Sequence, residues 1–126
     1  MTKKIINTDQ APAAIGAYSQ AVENNGMLFI SGQIPVNPAT GEIISQDVQE
    51  QTKQSLENLK AILKEAGYSL ADVVKTEVFI SDMENFTQIN DIYANYFTED
   101  EPARACVEVG RLPKDVLVEI AATAIK

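Results

Sequence analysis

The sequence predicts an α+β domain: a mixed β-sheet with two helices packed on one face. Three observations predict it. Segment types follow one another as strands, helix, strand, helix, strand, strand. Helices placed between strands act as crossovers, and crossovers pack back onto the sheet. At 126 residues the chain fits a single domain over 1–126 and has no stretch left for a third layer. One sheet face is then left to be covered by self-association, so an oligomer is expected.

Each element follows from local pattern. Tyr18 to Glu23 is strand-like and runs through Asn24-Asn25-Gly26 into the apolar Met27-Leu28-Phe29-Ile30. Asn-Gly between strand-like segments marks a hairpin, because both residues tolerate the positive φ of a tight reversal. Pro35, Pro38 and Gly41 mark a loop, with Asn37-Pro38 favouring a turn. Val48, Thr52, Leu56, Leu59, Leu63 and Ala66 recur at steps of three and four and form one helical stripe. Asp47 is placed to cap that helix with Glu50 as reciprocal partner, and Gly67 to end it. Val73 to Ile80 reads as a strand with Val74, Thr76, Val78 and Ile80 on one face. A second helix is expected from about Glu84 to Phe97, capped by Asp82, with Phe86, Ile89, Tyr93 and Tyr96 inward. Arg104 to Val109 and Val116 to Ile125 are the closing strands, joined by Gly110-Arg111-Leu112-Pro113-Lys114-Asp115.

Composition excludes several classes of function. Apolar residues make up 45% and charged ones 22%, which suits a hydrophobic core without staples. A net charge of −8 weighs against a nucleic-acid partner, since phosphate binding needs clustered Lys and Arg. Cys106 is the only cysteine, so no intrachain disulfide forms. The chain has no histidine, which removes Ser-His-Asp and Cys-His schemes, the usual zinc proteases and the His/Cys/Cys site of zinc deaminases. No metal or cofactor is expected, and any hydrolysis must use carboxylate, Arg, Lys, Tyr or backbone. No run reaches the length of a membrane span, and Met1-Thr2-Lys3-Lys4 leads into polar residues rather than a signal core. A cytoplasmic protein without a membrane partner is the expectation.

Two residues stand out chemically. Arg104 opens a strand just after Pro102-Ala103, where its planar fork can hold a carboxylate by two parallel hydrogen bonds. Position alone favours the plainer reading, an edge-strand Arg in water or in an ion pair. Glu119 interrupts the apolar run Val116-Leu117-Val118 and Ile120-Ala121-Ala122. A carboxylate there must be paired, hydrogen-bonded or shifted toward its neutral form, and a shifted one can pass protons near neutral pH. A structural partner and a proton shuttle stand level for Glu119.

The remaining candidates are weaker. Arg104, Cys106 and Glu108 share a strand face, and a plain hairpin between the last two strands would set Cys106 across from Glu119. Cys106 reads as a packed small hydrophobe with no His to activate it, though its main chain can still serve a site. Gly32 permits a strand-end conformation or close approach of a ligand to the backbone. Tyr18 is an amphipathic wall residue. Asn90 lies between Phe86 and Tyr93, as a structural amide or a ligand contact. Nothing marks Lys75 or Lys114 as desolvated, so neither is given a role.

Four stretches carry a family resemblance: Ala14-Ile15-Gly16-Ala17-Tyr18-Ser19-Gln20-Ala21, Ile30-Ser31-Gly32-Gln33-Ile34-Pro35-Val36-Asn37-Pro38, Pro102-Ala103-Arg104-Ala105-Cys106-Val107-Glu108-Val109, and Leu112-Pro113-Lys114-Asp115-Val116-Leu117-Val118-Glu119-Ile120. The chain resembles the RidA/YjgF family, the reactive intermediate deaminases, from end to end. The resemblance implies a chorismate-mutase-like α+β fold, a homotrimer with clefts between subunits, and a sheet order that separates the last two strands. It implies hydrolysis of small enamines and imines, 2-aminoacrylate and 2-iminobutanoate, to 2-oxo acids and ammonia. By matching positions, Arg104 would bind the substrate carboxylate and Glu119 would assist the attacking water. Tyr18, Gly32, Asn90 and Cys106 would line the pocket, the last through its backbone. Two departures bear on substrate breadth: Ala17 replaces the family's usual Pro, and the segment Thr98-Glu99-Asp100-Glu101 is short. The rival reading is a sensor of the same fold that binds 2-oxo or amino acids without turnover. An RNA-cleaving activity fits the acidic charge poorly.

Overall fold

In the computed structural model, which describes residues 2–126, six strands form one sheet. They are β1 (Lys4–Ile6), β2 (Ala21–Asn24), β3 (Met27–Gln33), β4 (Val73–Ile80), β5 (Ala103–Glu108) and β6 (Val118–Ile125), in the spatial order β1-β2-β3-β6-β4-β5. All neighbours are antiparallel except β4 and β5, which run parallel. Helices α1 (Val48–Ala66) and α2 (Phe86–Tyr93) are the crossovers, and they pack together on one face. The α+β architecture is the one expected. No helix among the described residues is long and apolar enough to cross a membrane.

The core explains the arrangement. Leu56, Leu59, Ile62 and Leu63 of α1 are buried against Leu28 and Ile30 of β3, Val78 and Ile80 of β4, and Val118 and Ile120 of β6. Asp47 caps α1 by accepting the Glu50 N–H at 2.9 Å, and Gly67 ends it in the left-handed region at φ 82°. The reciprocal half of the expected capping box is replaced: the Asp47 N–H donates to the Ser45 hydroxyl at 3.1 Å. Asn25 and Gly26 form the hairpin turn with φ of 54° and 74°, both positive as a tight two-residue reversal requires.

Four details differ from the sequence expectation. Residues Lys4–Ile6 form a strand, although three residues are too few to show a periodicity. The strand expected from Tyr18 starts at Ala21, which leaves Tyr18 in an exposed loop. In β4 a bulge lies between Val73 and Lys75, so Val73 turns inward and Val74 is exposed. The second helix is shorter than expected. Asp82 caps a 3-10 turn at Met83–Asn85 by accepting the Glu84 N–H, and α2 begins only at Phe86.

The hairpin between the last two strands does not form. β4 lies between them, and Val78 pairs with Cys106 on one side and Ile120 on the other. Cys106 and Glu119 are therefore not strand neighbours, because α2 carries the chain from β4 across to the sheet edge and a loop with one 3-10 turn, Pro113–Asp115, returns it past β4 to β6. Among the described residues, nothing forms a covering layer on the face away from the helices. Phe29, Phe79, Ala105, Val107 and Ala121 lie on it, with Phe29 47% and Val107 45% exposed.

Candidate active site

Arg104 and Glu119 occupy different environments. Arg104 is the second residue of β5 and reaches the helix-bearing side of the sheet. Its guanidinium stacks 4.8 Å from the Tyr93 ring centroid and 5.5 Å from that of Phe86. Its Nη1 donates to Asn90 Oδ1 at 2.8 Å. Phe86, Asn90 and Tyr93 fall at steps of four and three on α2, so one helix face supplies both rings and the amide. The only ion pair among the described residues joins Arg111 and Asp115, so Arg104 has no carboxylate partner there. One edge of its fork is left for an anion, in a cleft of about 430 Å³ lined also by Phe97, Glu101 and Pro102. Among the described residues the ion-paired form of the plainer reading has no partner, while the exposure of Arg104 agrees with its other form, an edge-strand Arg in water.

Glu119 sits on β6 between the fully buried Val118 and Ile120 and faces the uncovered side. It stands directly opposite Phe79 of the neighbouring β4. Half-burial pushes its carboxyl above the ordinary carboxylate value, with no neighbouring charge contributing to the shift. Gly32 makes room for it. The β3–β6 register slips between Ile30 and Gln33, and a Cβ on Gly32 would overlap the Glu119 carboxylate, with the carboxyl carbon at 2.7 Å. The close approach at this glycine is to a side chain of the same chain.

Gly32 and the exposed Tyr18 line a largely apolar cavity of about 270 Å³ with Ile15, Ile34 and Val36. Lys114 reaches it from a backbone at φ 56°. The buried Gln20 shapes its wall by donating to the carbonyls of Thr8 and Pro12 at 2.9 and 2.8 Å. Cys106 is half-buried against the core on the Arg104 side. Burial pushes its thiol up, opposed by the Arg104 charge, which suits packing rather than nucleophilic attack. Among the described residues, no three Cys, Asp or Glu side chains cluster as a metal site would require.

The six expected residues thus form two groups. Arg104, Asn90 and Cys106 stand on the α2 side at the β5 edge, whereas Glu119 on β6 and Gly32 on β3 lie mid-sheet, with Tyr18 in the loop before β2. Arg104 lies opposite Thr76 and Glu119 opposite Phe79, which separates them by two strand spacings and three residues, about 14 Å, on opposite faces. A small acid cannot touch both within one chain. Sequence reasoning missed the role of Phe86 and Tyr93 beneath Arg104. Their helical spacing was visible, but it said only that they point inward.

The sequence profile of the family described as Endoribonuclease L-PSP matches residues 8–126. This chain belongs to the L-PSP/RidA family. Its L-PSP/RidA relatives match at full length. A RutC family protein of Pyrococcus horikoshii is 56% identical over 98% of both chains. TdcF of Escherichia coli K12, a candidate reactive intermediate deaminase by name, is 53% identical over 98% of both. Among solved structures, E. coli TdcF with bound serine superposes with a TM-score of 0.93 at 52% identity over 98% of both chains. A Thermotoga maritima protein described as a candidate endoribonuclease gives 0.97 at 50% identity, over 99% of this chain and 98% of that one.

Proposed function

We propose that this L-PSP/RidA protein hydrolyses reactive enamines and imines, such as 2-aminoacrylate and 2-iminobutanoate, to 2-oxo acids and ammonia in clefts between subunits of a homotrimer. The observation that carries the reading is the split site. One chain presents a stacked guanidinium with a free edge, and separately a half-buried carboxylate beside a glycine, on a sheet face that nothing covers. A second copy laid on that face brings the two halves together. The relative named for deamination and the relative holding serine, a small amino acid, support the reading.

The chemistry asks for little. Arg104 fixes the substrate carboxylate by two charge-assisted hydrogen bonds, which orients C2 toward the Glu119 side. An enamine first takes a proton at its terminal carbon to become the imine. Water adds to C2 of the imine as Glu119 accepts its proton and the nitrogen is protonated, giving a carbinolamine. Glu119 returns its proton to the amine nitrogen, the C–N bond breaks and ammonia leaves, and the hydroxyl proton passes to solvent, replacing the one the imine nitrogen took, as the C2 carbonyl forms. The raised carboxyl of Glu119 suits both halves of that exchange. An imine is already an electrophile, so no step calls for a metal.

The rival sensor reading would use Arg104 but has no need of a proton-carrying Glu119. The endoribonuclease in the family's description would need a run of cations along a phosphate chain, and a net charge of −8 offers poor ground for one. The test generates 2-iminobutanoate with a threonine dehydratase and follows 2-oxobutanoate. Acceleration by the purified protein, lost in Arg104→Ala and Glu119→Gln with the oligomer intact, supports the deaminase. Binding of 2-oxobutanoate without acceleration would overturn it in favour of the sensor.

A further inference from the structure

A long Arg side chain is a poor clamp unless something takes away its freedom before the substrate arrives. Here the platform beneath Arg104 is itself anchored. Tyr93 is buried, its ring lies 4.8 Å from the Arg104 guanidinium carbon, and its hydroxyl is hydrogen-bonded to Thr76 Oγ1 at 2.7 Å. Thr76 is fully buried on β4 and is the residue directly opposite Arg104 in the β4–β5 ladder. The connections therefore close on themselves: from the Arg104 main chain across the ladder to Thr76, through the hydroxyl pair to Tyr93, and through the ring back to the guanidinium. Phe86, the second ring, has no polar group with which to be anchored. In the mechanism above, neither hydroxyl has a chemical step to perform.

We propose that Thr76 and Tyr93 are positioning residues whose buried hydrogen bond sets the plane of the Arg104 guanidinium and thereby the affinity for the substrate's carboxylate. The inference rests on the reading of Arg104 as the carboxylate clamp. It separates this pair from ordinary core residues, because its loss is felt in carboxylate binding and not in proton transfer at Glu119.

Isosteric variants test it in the intact protein. Tyr93→Phe keeps the stacking ring but frees its edge, and Thr76→Val removes the other partner. The double variant removes both polar groups, so neither is left buried and unpaired and the fold recovers much of what either single change costs. With imine generated in situ, KM and the inhibition constant of 2-oxobutanoate are expected to rise about fivefold in the double variant, the scale of one hydrogen bond's net contribution. Its kcat and the pH profile of kcat stay at the wild-type values. Thr76→Ser, which keeps a hydroxyl at this position, restores wild-type KM. The proposal is overturned if the double variant folds and binds 2-oxobutanoate as wild type does, or if kcat falls while KM holds. Failure of the underlying reading looks different: wild type gives no acceleration, or Arg104→Ala keeps the wild-type KM.

Discussion

The two faces of this sheet obey different rules. On the helix side, apolar residues close over the core, and nearly all the polar ones that enter are held: Asn58 Nδ2 donates to the carbonyls of Ile34 and Val36, and Gln51 Oε1 accepts the Leu117 N–H at 2.8 Å, with Ser55 Oγ left buried and unpaired. On the bare side, Phe29 and Val107 are exposed, and Glu119 lies half-buried with its carboxyl raised. A buried polar group without a partner costs stability, so the one face reads as a finished core and the other as unfinished. Stability is settled within the chain. In the proposed reading, activity awaits a second chain.

The sharpest way to break that comparison is at Glu119. Glu119→Gln keeps size and shape but cannot carry the proton, and kcat for imine hydrolysis is expected to fall about 10²- to 10⁴-fold, the usual worth of a general acid–base group. A loss below about threefold in the dehydratase-coupled assay would remove Glu119 from the chemistry, since the same principle sets the scale.

Matched changes on the two faces come next. Leu59→Ala on the closed face leaves a cavity where the side chain is fully buried and is expected to cost about 2–5 kcal/mol in denaturant unfolding, with the oligomer retained in native buffer. Val107→Asp on the bare face sits on an edge strand, opposite Phe79, where a folded single chain tolerates it. It is expected to leave circular dichroism native while shifting sedimentation to the monomer and abolishing turnover. A Val107→Asp protein that stays trimeric and active would show that the bare face is not where copies meet.

The same asymmetry shows in pH dependence. Burial holds the Glu119 carboxyl above its ordinary value of 4.5, so over the window just above 4.5 the folded chain keeps a proton that the unfolded chain has released. Wild type therefore loses stability as pH rises through that window. Glu119→Gln does not titrate, so it is expected to melt at a higher temperature than wild type at neutral pH, with the gap closing as pH falls below 4.5. An advantage that grew on acidification would mean that the carboxylate is stabilised by a cation instead.

Much of the closed face was legible in the sequence. The stripe from Val48 to Ala66 and its Asp47 and Gly67 ends gave α1 to the residue, because capping and periodicity are local properties. What failed was set by neighbours distant in sequence. The bulge at Val73 reverses which valine turns inward, and α2 stops at Tyr93 although apolar residues continue to Phe97. Residue types alone left Arg104 and Glu119 open, and their proposed roles came with the family resemblance. That they point to opposite faces depends on β4 lying between β5 and β6, and alternation within either strand carries no trace of it.

Cys106 gives the smallest effect, and the most useful control. It lies on the same side as Arg104 and Asn90, so a thiol role and a backbone role predict opposite outcomes for Cys106→Ala. Burial raises the thiol and the chain has no histidine to activate it, which leaves the main chain of an edge strand as what Cys106 can offer a ligand. Cys106→Ala keeps that main chain, and kcat/KM is expected to stay within about twofold of wild type, because only a small packing contact is lost. Insensitivity of the wild type to a thiol-alkylating reagent under the same assay agrees with it. A Cys106→Ala enzyme slowed as much as Glu119→Gln would make the sulfur part of the reaction and move the centre of the chemistry to the α2 side of the cleft.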